Sequence, residues 1–171
     1  SWTLGGSGGT QTLIASSGTL PAVTFTATAT AGAAARLLGF SSQTQSGIVA
    51  GAALTVSQRP AVRVTDAEGN PVTGAVVTFR VAQDGSSGYL TSSDTIATAS
   101  TNANGIASVG AWTMPTTSGT SATAIASISG VAETVTFTVT TTAGAVSRLR
   151  ITAGGLSTLS TTAGATASTI T

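Results

Sequence analysis

The stretch Val-Thr-Phe-Thr-Val-Thr-Thr-Thr at residues 135–142 decides the fold class. Val135, Phe137 and Val139 alternate with threonines, so apolar side chains point to one side of an extended chain and hydroxyl side chains to the other. Threonine suits this conformation because its branched Cβ fits a pleated surface. The stretch is therefore predicted to be a β-strand with one buried face.

The same pattern occurs earlier in the chain, as part of a longer repeat. Residues 23–37 read Val-Thr-Phe-Thr-Ala-Thr-Ala-Thr-Ala-Gly-Ala-Ala-Ala-Arg-Leu, and residues 135–149 read Val-Thr-Phe-Thr-Val-Thr-Thr-Thr-Ala-Gly-Ala-Val-Ser-Arg-Leu. Trp-Thr-Leu at residues 2–4 recurs as Trp-Thr-Met at residues 112–114. This recurrence predicts a unit of about 110 residues, the size of one immunoglobulin-type β-sandwich.

The repeat divides the 171-residue chain into three parts. Residues 1–33 are predicted to be the C-terminal strands of a preceding repeat. Residues 34–144 are predicted to be one complete domain, and residues 145–171 the N-terminal strands of the following repeat. The chain is thus expected to be a segment of a longer tandem array.

Short alternating runs separated by turn signals continue through the central part. Asn104-Gly105 is a strong hairpin signal, and Gly69-Asn70-Pro71 is a second turn. Many short strands at this spacing predict an all-β, immunoglobulin-like sandwich. Strands are expected near residues 36–40, 52–56, 60–66, 74–83, 88–91, 95–101, 105–113, 120–128 and 132–142.

The composition excludes several classes of function. The chain has no cysteine and no histidine, and its six basic residues are all arginine. An enzyme is not expected, because the commonest general base and metal ligand are missing, and no cofactor is predicted. A net charge of +1 argues against a nucleic-acid partner. No run of about 18 apolar residues occurs, so this segment is not expected to insert into a membrane.

One stretch resembles a known family. Residues 64–79, Val-Thr-Asp-Ala-Glu-Gly-Asn-Pro-Val-Thr-Gly-Ala-Val-Val-Thr-Phe, resemble the bacterial immunoglobulin-like domain of the Big-1 type, found in intimin- and invasin-like proteins. Residues 101–108 resemble a second stretch of that family, and residues 119–126 with 135–137 resemble its closing strands. The resemblance implies an extracellular stalk or spacer on a bacterial cell surface, in arrays that hold an adhesive tip away from the cell.

Two acidic pairs lie in predicted loops. Asp66 and Glu68 are two residues apart in a turn and are weak candidates for a calcium site, since calcium prefers clustered carboxylates. The alternative is a turn in which the aspartate caps its own backbone. Asp84 and Asp94 flank a glycine-rich loop and are interpreted as solvated loop acids rather than as a catalytic pair.

Two further pairs recur with the repeat. Trp2 and Trp112 are predicted to be packing anchors at the end of the sandwich or against a neighbouring domain, with stacking on a sugar ring as the alternative. Arg36 and Arg148 follow Ala-Gly at each boundary between units. They are interpreted as an interdomain or inter-subunit ion pair at the joint, with Asp84, Asp94 or Glu133 as the acidic partner, and the alternative is an exposed charge.

These patterns predict a structural segment that forms a stiff stalk or a self-assembled fibre. Its partners are then neighbouring copies of the same repeat, in a homopolymer. The alternative is an adhesin module that recognises a glycan or a protein through loops at the sandwich end. Only 6% of the residues are charged, so a surface covered by protein or by O-linked sugar on the many threonines and serines is also predicted.

Overall fold

The computed structural model describes residues 1–145, and its regular secondary structure is almost entirely β-strand, as predicted. Within these residues no α-helix forms, and a single 3-10 turn covers Val56–Gln58. No helix in the described chain has the length and apolarity to cross a bilayer. The strands are β1 Gly9–Ala15, β2 Val23–Ala29, β3 Arg36–Gly39, β4 Thr44–Val49, β5 Ala61–Thr65, β6 Val76–Val81, β7 Ile96–Ser100, β8 Ile106–Ser108, β9 Ser121–Ile128 and β10 Val135–Thr142.

The strands form two sheets and a separate hairpin. Five strands pair in the order β4-β10-β9-β6-β7, and three pair in the order β3-β5-β8. β4 runs parallel to β10, whereas the other pairs are antiparallel. β1 and β2 pair only with each other and form a two-stranded sheet. The central part of the chain is therefore a two-sheet structure with a hairpin at its N-terminal side.

One hydrophobic core is shared by the two sheets, which places them face to face. Alternate residues of β5, β6, β9 and β10 enter it, and this explains why the period-two patterns in these parts of the sequence form strands. Trp112, Phe79 and Phe137 are its largest members. The other large buried side chains include Val62 and Val64 from the three-stranded sheet and Val77, Val81 and Val139 from the five-stranded sheet.

The predicted strands near 52–56 and 88–91 were wrong. Each segment contributes only an isolated bridge, Ala53 to Thr113 and Tyr89 to Thr113. β4 was missed, because Thr-Gln-Ser-Gly-Ile-Val does not alternate. It is an edge strand, held by main-chain pairing along β10 with a register shift near Gly47, which has φ +77°. An edge strand that is held by main-chain hydrogen bonds has only a weak side-chain pattern, so it is hard to recognise in a sequence.

Gly105 is required by a close approach of two chain segments. It has a positive φ of +73°, and a Cβ there would lie 2.5 Å from the Val64 carbonyl oxygen. The Gly105 carbonyl in turn accepts a hydrogen bond from the Val64 amide, at 2.8 Å. The Asn104-Gly105 turn predicted from the sequence thus fixes the β8 turn against β5.

Candidate functional site

The loop between β5 and β6 meets the ends of the β1–β2 hairpin, and this contact is the candidate functional site. On one side lie residues 5–8, before β1, and residues 30–32, after β2. On the other side lie residues 66–73. We call these three segments together the joint. It connects the hairpin to the two-sheet part of the chain by hydrogen bonds between residues more than 30 positions apart.

Asp66 is the buried centre of the joint, with 2% of its surface exposed. Its Oδ1 accepts the backbone amides of Asn70 at 2.7 Å and Glu68 at 3.1 Å. Its Oδ2 accepts the Gly32 amide and the Asn70 side-chain amide, each at 2.9 Å. A carboxylate with four donors is well compensated for its burial. Asp66 therefore shapes its own turn and holds the chain leaving β2.

Hydrogen bonding keeps this carboxylate ionised. The Asn70 side chain contributes most to lowering the pKa of Asp66 below its ordinary value of 3.8, followed by the Gly32 amide, while desolvation opposes the shift. The bonds favour the charged form, so the joint is complete when Asp66 is deprotonated. Protonation removes acceptor strength at the same atoms.

Asn70 makes the second half of the contact. Its Nδ2 donates to the Gly6 carbonyl at 2.7 Å, and its Oδ1 accepts the Gly8 amide at 2.8 Å. One side-chain amide thus pairs with a donor and an acceptor of the segment before β1. The Asp66–Asn70 bond joins this interaction to the one with Gly32. Both ends of the hairpin are held by a single loop.

Glycines allow the two sides of the joint to approach closely. A Cβ at Gly6 would lie 3.3 Å from the Glu68 Cγ, and one at Gly32 would lie 3.6 Å from the Asp66 Cβ. Glu68 therefore lies against the segment before β1, although it stays exposed. Beside this contact, Thr30, Ala31, Pro71, Val72 and Thr73 line an open cleft of about 320 Å³.

The geometry favours the turn interpretation of Asp66 and Glu68 over the calcium site. Both Asp66 oxygens already accept hydrogen bonds, and the bonds to Glu68 and Asn70 close the turn on its own backbone. In the part of the chain that the structure describes, no group of three acidic side chains that could hold a metal ion forms. A calcium ion would have to displace the donors that build the joint.

Asp84 and Asp94 are engaged in their own loop. Asp84 accepts the Ser86 amide at 2.9 Å, and side-chain and backbone bonding to Ser86 lowers its pKa. Asp94 accepts the Thr91 hydroxyl at 2.7 Å. Both bonds are local turn interactions. They match the loop-acid interpretation and leave neither residue bonded to Arg36.

The two tryptophans lie in unlike surroundings. Trp112 is fully buried within the two-sheet core and donates Nε1–H to the Ser87 carbonyl at 2.8 Å. Trp2 is 37% exposed in the segment before β1. Within residues 1–145 no second sheet covers the hairpin, so Trp2 has no core to enter. Trp112 packs inside the sandwich rather than at a joint, and it is inaccessible to a sugar ring.

Arg36 lies at the joint, although it is exposed there. It is the first residue of β3 and pairs in register with Thr65, the neighbour of Asp66. Its position four residues after Gly32 matches the predicted boundary between units. Arg148, its repeat counterpart, lies outside the described residues.

Sequence reasoning missed Asn70 and the glycines of the joint as interacting residues. Asn70 was assigned only to a turn, and Gly6 and Gly8 were given no role. The partners are 64 and 62 positions apart, so no local spacing reveals them. The sequence did contain one signal, the Asp-x-x-x-Asn spacing. A simple turn does not require polar side chains at both of these positions.

Comparison with known proteins finds no relative of this chain. No protein-family model, no curated protein and no solved structure matches it.

Proposed function

We propose that this chain is a structural segment of an extracellular bacterial surface protein, in which immunoglobulin-like domains of the Big-1 type follow one another as a stiff stalk or self-assembled fibre. The observation that carries the proposal is the joint. Asp66 and Asn70 hold both ends of the β1–β2 hairpin by three hydrogen bonds, one each to Gly6, Gly8 and Gly32. A spacer needs such a contact, because flexible linkers do not transmit orientation.

The strand order supports an immunoglobulin-like assignment. If β3, β5 and β8 are strands A, B and E, and β6, β9 and β10 are strands C, F and G, the two sheets reproduce the central pairings of that fold. β7 then lies next to C, as the additional strand of variable-type domains does, and β4 extends the sheet beside G. In this assignment, the strands are divided between two sheets in the way expected for the immunoglobulin fold.

The hairpin supports the tandem arrangement. β1–β2 pairs Leu13 with Phe25, and β9–β10 pairs Ala124 with Phe137. Phe25 and Phe137 are the aromatic residues of the two Val-Thr-Phe-Thr stretches, which lie 112 positions apart (137 − 25). Each Val-Thr-Phe-Thr stretch is the second strand of an antiparallel hairpin, with its phenylalanine opposite an apolar residue of the first strand. This is expected if residues 1–33 are the closing strands of a preceding domain.

The alternative of a glycan-binding adhesin module has less support. Of its two predicted sugar-stacking residues, Trp112 is buried and only Trp2 is exposed. The extracellular location and the role as a spacer rest on the resemblance of residues 64–79 to the Big-1 stretch and on the low charge of the chain. Intact mass of the secreted protein tests the predicted O-linked sugar, since an unmodified chain weighs 16.4 kDa.

The stiffness of the joint is measured with spin labels. The chain has no cysteine, so Thr26→Cys on the hairpin and Thr98→Cys on β7 give two unique labelling sites. We expect a narrow distance distribution that broadens in Asn70→Ala. Asn104→Ala is the matched control, because Asn104 is hydrogen-bonded in its turn through its backbone amide and not through its side chain. A distribution as broad in the parent chain as in Asn70→Ala contradicts the stiff stalk.

A further inference from the structure

The β1–β2 hairpin exposes an apolar face that is patterned for a core. Leu13 and Phe25 are paired across the two strands, and 44% and 52% of their surfaces are exposed. Val23, on the same face, is also exposed. Other apolar side chains of the described chain are also exposed, but these three share one face of the hairpin, and a contiguous apolar surface is typical of an interaction site.

The equivalent face of β9–β10 shows what such a surface is built to receive. Phe137 is 1% exposed, and Ala124 and Val135 are buried with it. β4 runs parallel along the edge of β10, pairing Thr44 with Thr138. From the opposite sheet, β3 contributes the buried Leu37 to the shared core. The first two strands of the domain therefore complete its last hairpin.

Residues 148–161 carry the sequence counterpart of those two strands. Arg148-Leu149 repeats Arg36-Leu37 at the same offset of 112 (148 − 36), and Ala-Gly-Ala at 163–165 repeats Ala-Gly-Ala at 50–52, directly after β4. These two matching stretches thus bracket a sequence equivalent of β3–β4. In contrast, β2 has β1 as its only pairing strand among residues 1–145, so its other edge is open.

The β1–β2 hairpin and the end of β10 lie at opposite ends of the two-sheet part of the chain. The hairpin is attached where β3 begins, beside Thr65. β4 and β10 run in parallel away from that end, and the Thr142 carbonyl accepts the Ala50 amide at the far end. The chain therefore leaves the domain on the side opposite its own hairpin. Such a head-to-tail arrangement favours contact between copies.

We propose that the β1–β2 hairpin of one copy accepts residues 148–161 of a second copy. The donor pairs in parallel along β2, as β4 does along β10, and places Leu149 over the face formed by Leu13 and Phe25. Strand addition satisfies the open edge of β2 and covers apolar surface in one event. The contact is heterologous and propagates into a filament. This inference rests on the proposed function and names the contact that assembles the fibre.

The test uses two variants of the full chain, Phe25→Asp and Leu149→Asp. We expect the parent chain to self-associate with concentration in sedimentation velocity, and each variant to be monomeric, with association weakened about 30-fold or more. The first variant lacks the acceptor and the second lacks the donor. Mixed one to one, they retain one intact pair of surfaces and form a heterodimer that cannot grow. Thr26→Asp, on the hydroxyl face of β2, is the control and still associates.

Three results overturn the proposal. A parent chain that stays monomeric excludes the contact. Loss of association in Phe25→Asp but not in Leu149→Asp indicates hairpin-to-hairpin pairing between copies, and association unchanged in both variants indicates another surface. The spin-label distances are measured in the monomeric Phe25→Asp chain as well. A flexible joint, which contradicts the proposed function, is therefore distinguished from an absence of strand exchange, which contradicts this inference.

Discussion

The β1–β2 and β9–β10 hairpins share a sequence pattern and a pairing scheme but differ in what covers them. Both carry Val-Thr-Phe-Thr on their second strand, and the phenylalanine is opposite an apolar residue of the first strand in each. Phe137 is buried against the three-stranded sheet, whereas about half of Phe25 is exposed. Alternation thus determines which side chains share a face, while burial of that face depends on a second sheet.

The largest difference between the hairpins is expected on truncating the two phenylalanines. Phe137→Ala removes a fully buried ring and should lower the free energy of unfolding by about 3–5 kcal/mol. Phe25→Ala in the monomeric chain should change it by less than about 0.5 kcal/mol, as for surface substitutions. Urea denaturation followed by tryptophan fluorescence measures both, since Trp112 reports on the core. Equal losses would contradict the assignment of the two faces.

Substituting the glycines in the two hairpin connections is expected to give a smaller difference in stability. Gly130, between β9 and β10, has φ +83°, and Gly18, between β1 and β2, has φ +51°, with open space around both. Gly130→Ala should lower the stability of the central domain by about 1 kcal/mol through backbone strain alone. Gly18→Ala should leave the unfolding midpoint of that domain unchanged, because its hairpin lies outside the core. A shift of the same size in both variants would show that the hairpins unfold together.

The smallest expected effect is a pH dependence confined to the joint. The depressed pKa of Asp66 means that its contribution is fully present above the ordinary aspartate value and is lost as pH falls through the lowered value. Hydrogen exchange of the Gly8 and Gly32 amides should therefore be protected near neutral pH and lose protection in acid, relative to β9 amides. In Asp66→Asn the Gly32 amide should be less protected at every pH.

Asp84→Asn serves as the control, because its carboxylate also has a lowered pKa but bonds only within its own loop. It should leave the exchange of Gly8 and Gly32 unchanged. Acid sensitivity that persists in Asp66→Asn would assign the effect to another group.

Strands with alternating side chains could be predicted from the sequence, and contacts between distant segments could not. β6, β9 and β10 were expected because alternate apolar residues enter the core. β4 lacks that pattern and was missed. Asp66 was singled out as charged and clustered, but its partner Gly32 is 34 positions away. The tryptophan repeat predicted similar surroundings, and the absence of an opposing sheet on the hairpin explains why the surroundings differ.

The joint bonds to main-chain atoms of the hairpin segments. Asp66 and Asn70 meet an amide or a carbonyl at Gly6, Gly8 and Gly32, so the side chains of β1 and β2 carry none of these bonds. In the proposed array, a neighbouring unit would then be recognised through its backbone path and its glycines. Strand residues in successive units of that array would be free to diverge, and units could be duplicated or exchanged by recombination, while the connection between them stays the same.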